Sequence, residues 1–174
     1  MSSLPKNLLL SGPPGCGKTT VVCRVIEHLR YRRLAGFYTK EMRKQGVRVG
    51  FRAIGISDDS TVLAHVDSRS PTRVGKYGVD LEGFEDIVHK EFGKPDGTVD
   101  LLVIDEIGKM ECCSGVFIEA VSRALDSPVA VLATIAAKGG GFIEQVKRRP
   151  DVEIMSVSPG NRDCLLELII SRLL

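Results

Sequence analysis

Residues Ser11 to Thr20 read SGPPGCGKTT and follow the apolar run Asn7 to Leu10 close to the start of the chain. Glycines at 12, 15 and 17 let the backbone curl with its N–H groups turned inward, and Lys18-Thr19 opens a segment with helical character. A concavity of that kind is a nest for an anion. The spacing is G-x-x-x-x-G-K-T, with Gly12, Gly17, Lys18 and Thr19 at the defining positions. Pro13, Pro14, Gly15 and Cys16 fill the free positions, and Thr20 follows. A candidate strand before the loop and a helix after it supply the context that such a loop needs. A plain glycine turn would explain the glycines but not Lys18 and Thr19. Cys16 is either a thiol tuned by the helix end or a small filler residue.

The chain has 174 residues, 43% of them hydrophobic, enough for one domain with a substantial core. A formal charge of +2 lacks the concentrated positive charge of a dedicated nucleic-acid binder. The clusters Arg30, Arg32, Arg33 and Lys147, Arg148, Arg149 each fall near a predicted helix end, where cations complement the dipole. Five cysteines show no C-x-x-C spacing, and Cys112 and Cys113 are neighbours, too close for an ordinary disulfide. A reduced, cytoplasmic protein is the expectation. The first strand begins too early for a signal peptide, and no apolar run is long enough to cross a bilayer. His28, His65 and His89 lack metal-ligand spacing.

Residues 21–32 carry apolar side chains at helical spacing. From 36 to 80 the pattern turns to short β-like runs, GFYTKE, VRVGFRAIGI, TVLAHV and RVGKYGV, separated by turn residues at 44–46 and 57–60. This β-rich insertion either lids the site or extends the sheet. A helix is predicted over 81–92, a buried strand over 99–106 and a helix over 114–125 with Ser114 as N-cap. A strand over 128–135, a short helix over 142–149, a strand around 152–157 and a last helix from Asn161 complete the chain. Alternating strands and helices imply a mostly parallel α/β sheet covered on both faces, with ligands at the carboxyl ends of its strands.

Leu101, Leu102, Val103 and Ile104 run into Asp105-Glu106, followed by Ile107 and Gly108. Aspartate at the end of a buried strand suits Mg²⁺, a hard cation that keeps several waters, with the Thr19 hydroxyl as a second ligand. A carboxylate beside it, Glu106, has the chemistry to orient water for attack on a γ-phosphorus. Alone, an apolar run ending in acids is common; with the glycine loop it gains meaning. Thr134 ends the next strand, either sensing the γ-phosphate or satisfied by backbone as a buried threonine. No N-K-x-D guanine signature occurs; Asn161-Arg162-Asp163 shares some letters and begins a helix.

The pairing of these motifs resembles the P-loop subgroup with an additional catalytic glutamate. Together with GFYTKE at 36–41, RVGKYGVD at 73–80 and NRD at 161–163, the run DEIGKME at 105–111 is similar to the cancer-related and thermophile nucleoside-triphosphatase family. The resemblance covers almost the whole chain in the same order. It implies a three-layer P-loop NTPase fold with a β-hairpin insertion and a Mg²⁺-dependent enzyme that cleaves the terminal phosphate of several nucleoside triphosphates, ATP, GTP, CTP and UTP. By family position, Gly12 to Thr19 would bind phosphate and metal and Leu101 to Gly108 would form the opposing wall. Lys109 matches the motif's lysine, and Arg162, Arg43 and Arg73 are candidates to reach the γ-phosphate. Alanine after Thr134-Ile135 and the triple glycine 139–141 depart from the family pattern.

The expected mechanism has Lys18 and the loop amides holding phosphate oxygens, Thr19 and Asp105 holding Mg²⁺, and Glu106 orienting water. A nucleotide or small-molecule kinase and a nucleotide-dependent binding module are the alternatives. The sequence ranks no base above another and leaves the oligomeric state open, a monomer included.

Overall fold

In the computed structural model, which describes residues 6–93 and 97–173, three consecutive leucines belong to two different cores. Strand β1 (Asn7–Gly12) sends Leu8 and Leu10 to one face of the sheet and Leu9 to the other. Strands β7 (Leu101–Ile107) and β8 (Ala130–Ala136) alternate likewise, with Leu101, Val103 and Leu132 on the first face and Leu102, Ile104, Val131, Ala133 and Ile135 on the second. Side chains alternate along a strand, so an unbroken apolar run is what a strand covered on both faces requires.

Helices α1 (Lys18–His28) and α5 (Arg162–Leu173) cover the first face through Val21, Val22, Val25, Leu165 and Ile169. Helices α2 (Leu81–Phe92), α3 (Gly115–Asp126) and α4 (Phe142–Lys147) cover the second. There Phe37 meets Phe84 edge-on at 5.3 Å and Phe117 at 6.0 Å, so one ring locks two helices onto the sheet. The predicted 81–92 helix forms over those residues, capped by Asp80, whose carboxylate accepts from Gly83 N. Ser114 caps α3 as expected, accepting from Phe117 N. Helix α1 departs from expectation: it stops at His28, and Arg33 lies beyond it, paired instead with Asp100 at 2.6 Å.

The remaining strands are β2 (Leu34–Lys44), β3 (Val47–Gly55), β4 (Ser60–His65), β5 (Arg73–Val74), β6 (Tyr77–Val79) and β9 (Val152–Ser156). All nine form one sheet in the order β5-β6-β4-β3-β2-β7-β8-β1-β9. The five strands from β2 to β9 run parallel, and β3, β4, β6 and β5 add to the outer side of β2 in antiparallel pairs. The β-rich insertion therefore extends the sheet. Its first turn is a two-residue hairpin loop in which Gln45 and Gly46 both have positive φ, the combination whose twist matches paired strands.

One buried acid fastens the insertion to the frame. Glu91 on α2 is 1% exposed and accepts from Gly36 N at 3.0 Å and Ser57 N at 2.9 Å, with the Ser57 hydroxyl bonded to the same carboxylate. Gly36 has φ +107, and a Cβ there would lie 1.8 Å from the Val103 carbonyl oxygen. Only glycine fits where β2 lies against β7.

Candidate active site

The glycine loop leaves the carboxyl end of β1 and feeds α1. Gly15 and Gly17 have φ +77 and +108, the left-handed backbone that glycine adopts without strain. No side chain caps the first turn of α1, and that turn carries no acidic residue. The leading amides of a helix have no intrahelical acceptor, so this end presents N–H donors and the positive end of the dipole. Lys18 is buried and folds back over the loop, its Nζ donating to the carbonyls of Gly12 at 2.9 Å and Pro13 at 3.4 Å. Cys16 packs into the α1/α5 core, as the filler reading expects.

Strand β8 separates β1 from β7, so Asp105 stands one strand beyond the loop. Its carboxylate gathers donors from three other elements. Thr19 Oγ1 on α1 donates to Oδ2 at 2.9 Å, Thr134 Oγ1 on β8 donates to Oδ1 at 2.6 Å, and Thr39 on β2 reaches Oδ2 through its amide at 3.3 Å and its hydroxyl at 3.4 Å. Burial pushes the Asp105 carboxyl above its ordinary range, while Thr134, Thr19, Thr39 and the Lys18 ammonium draw it back. Thr134 is thus buried and satisfied, but by Asp105 and not by backbone.

The β7–β8 pairing skips from Ile104↔Ala133 to Ile107↔Ile135, an irregularity at the two acids. Burial also raises the Glu106 carboxyl, with Lys18 lowering it and Asp105 adding to the rise. Of the expected wall Leu101 to Gly108, the side chains of Leu101, Leu102, Val103, Ile104 and Ile107 fill the two cores. Strand alternation commits those side chains to packing, and the polar groups at this strand end are those of Asp105 and Glu106.

Three participants escaped sequence reading. Thr39 belongs to GFYTKE and lies midway along β2, just past the end of the parallel β2–β7 pairing, and no local signal in the sequence marks it. Glu111 opens a short 3-10 helix (Glu111–Cys113). Its carboxyl is buried and pushed up to about 8, first by burial and then by the charge of Glu106. A Cβ on Gly108 would lie 2.8 Å from Glu111 Oε2 and 3.5 Å from Glu106 Cδ, so the two carboxyls flank that glycine. Glu91 is the third, a structural acid. Among the arginine candidates, Arg43 bonds Glu41 and the Gly46 carbonyl, and Arg73 bonds the carbonyls of Ser68 and Lys76, both in the insertion. Arg162 alone lies on the loop, against Gly17. Asn161 does not cap α5 with its side chain: the amide accepts from Ser158 N and donates to the Ser156 carbonyl, both at 2.8 Å.

A glycine loop on β1, acids one strand removed on β7 and helices on both faces place the molecule in the class of α/β P-loop NTPase folds. The crystal structure of THEP1 from the hyperthermophile Aquifex aeolicus superposes with a TM-score of 0.85 at 33% identity, covering 96% of this chain and 98% of that one. The family model described as NTPase matches residues 7–170. The nucleoside-triphosphatase THEP1 of Thermotoga sp. (strain RQ2) is 42% identical over 94% of this chain and 93% of its own, and the human cancer-related nucleoside-triphosphatase is 36% identical over 97% and 96%. The chain belongs to this NTPase family.

Proposed function

We propose that the protein hydrolyses the terminal phosphoanhydride of ATP, GTP, CTP and UTP in a Mg²⁺-dependent reaction that tolerates all four bases. Hydrolysis of nucleoside triphosphates follows from family membership. The observation that carries the finer reading is the uncapped N-terminus of α1, with Lys18 folded over it and Asp105 and Glu106 one strand away.

In this reading the amides of residues 15–19 and the Lys18 ammonium bind the β- and γ-phosphate oxygens, exchanging the Gly12 and Pro13 carbonyls for phosphate. Thr19 and Asp105 supply two hard oxygens 2.9 Å apart, a donor set that suits Mg²⁺ because that ion takes few protein ligands beside water and phosphate. Bound there, Mg²⁺ would neutralise charge on the phosphates and the leaving diphosphate. Thr134 and Thr39 hold the Asp105 carboxylate in one orientation. Glu106, whose raised basicity suits the task, orients a water toward the γ-phosphorus and accepts its proton. Arg43 and Arg73 have their partners within the insertion, and catalysis without an arginine on the γ-phosphate is slow. The five free cysteines support work in the reducing cytoplasm. Among the described residues no helix is long and apolar enough to cross a membrane.

Phosphate release from the four triphosphates with Mg²⁺ and no acceptor, measured beside Glu106→Gln, tests this reading. Release from all four, reduced on the order of 10²–10⁴-fold in the variant, is expected. Binding without release would replace it by a kinase or a nucleotide-dependent docking module.

A further inference from the structure

The sheet order gives the bound nucleotide a direction. Asp105 and Glu106 lie toward the end of β7, Thr134 toward the end of β8 and Thr39 midway along β2, all on one side of β1. A terminal phosphate attended by Glu106 points to that side, and the nucleoside end therefore leaves over the other side, where β9 and the loop 157–161 lie. Arg162 stands there. Its Cδ is 2.9 Å and its Nη1 3.4 Å from where a Cβ on Gly17 would be, so the side chain lies along the glycine loop. Its buried Nε has no hydrogen-bond partner.

The two neighbours of Arg162 already have partners within the fold. The Asn161 amide is spent on Ser158 N and the Ser156 carbonyl. Asp163 pairs with Arg24 on α1 at 2.6 Å. Reading a base by its edge needs convergent donors and acceptors, and those of Asn161 and Asp163 are engaged in part by the loop and by α1. A flat guanidinium remains, and every base has a π-face on which it can stack.

Building on the reading above, we infer that Arg162 is a base-binding residue, the platform on which the nucleobase lies, and that a π-face contact, which any base can make, is why purines and pyrimidines are both accepted. Arg162 acts on the nucleoside and not on the γ-phosphate.

The test is affinity in the Glu106→Gln protein, which holds substrate without turnover, for Mg²⁺ complexes of ATP, GTP, CTP, UTP and inorganic tripolyphosphate. Adding Arg162→Ala should weaken all four nucleotides by about tenfold, purines most, and leave tripolyphosphate unchanged. Arg162→Lys keeps the charge and loses the plane, so it should behave like the alanine variant. Its circular dichroism and melting should match the parent. A parallel loss of tripolyphosphate affinity, full retention of nucleotide affinity by the lysine variant, or a loss confined to one base overturns the inference while leaving the nucleotide reading intact. Failure of the Glu106→Gln parent to bind any triphosphate overturns both.

Discussion

Thr134 donates its hydroxyl to Asp105 Oδ1 across 2.6 Å in a part of the sheet closed to solvent, while Thr19 holds the other oxygen. The buried acid keeps one oxygen tied to β8 and turns the other toward α1. Thr134→Val retains shape and removes the donor, leaving Oδ1 unsatisfied. The expected loss of stability is ~1–3 kcal/mol by chemical denaturation, accompanied by slower phosphate release. Thr134→Ser should recover both; equal stability of the valine variant would show that Oδ1 needs no partner.

Lys18→Ala removes an ammonium already desolvated over the loop. Triphosphate affinity should fall by about 10- to 100-fold, as for loss of a charged hydrogen bond, and turnover should fall with it. Titration calorimetry reads this directly, and unchanged affinity would remove Lys18 from the phosphate site.

Gly36→Ala should be among the most damaging single changes, costing more than about 3 kcal/mol, since the new Cβ strikes the Val103 carbonyl at a positive φ. Gly46→Ala is the control: φ is +79 but nothing lies within 4 Å of the added carbon, so only the roughly 1 kcal/mol cost of backbone conformation applies. Melting temperatures of the two variants should differ in that order.

Glu111 ties stability to pH. Below its ordinary pKa of 4.5, folded and unfolded chains both hold the proton; above that the unfolded chain releases it while the folded chain keeps it to about 8. The unfolded state then binds fewer protons, so stability falls as pH rises through this window, by on the order of a few kcal/mol. Glu111→Gln should flatten the dependence and melt higher than the parent at pH 8. A slope unchanged by the substitution would place the effect elsewhere.

Much of this was legible because it is local. The glycine loop, the helix over 81–92 and the Ser114 cap each depend on a few adjacent residues, and the apolar runs around Leu9 and Val103 announce strands covered on both faces. The rest depends on distant partners. Nothing near Thr39 tells that β2 runs past its pairing with β7 to meet Asp105. Glu111 and Glu91 look like solvated helix acids until the fold closes over them. Arg43, Arg73 and Arg162 were equivalent candidates, and only the placement of the insertion within the sheet separated them.

The outer boundary of that sheet has a consequence for solubility. An open sheet invites a second chain to continue its ladder, and a long exposed border strand is the usual route to aggregation. Here the border beyond the insertion is β5, two residues long and already paired with β6. A template that short cannot seed a further strand, so the same extension that widens the sheet also closes it to growth on that side.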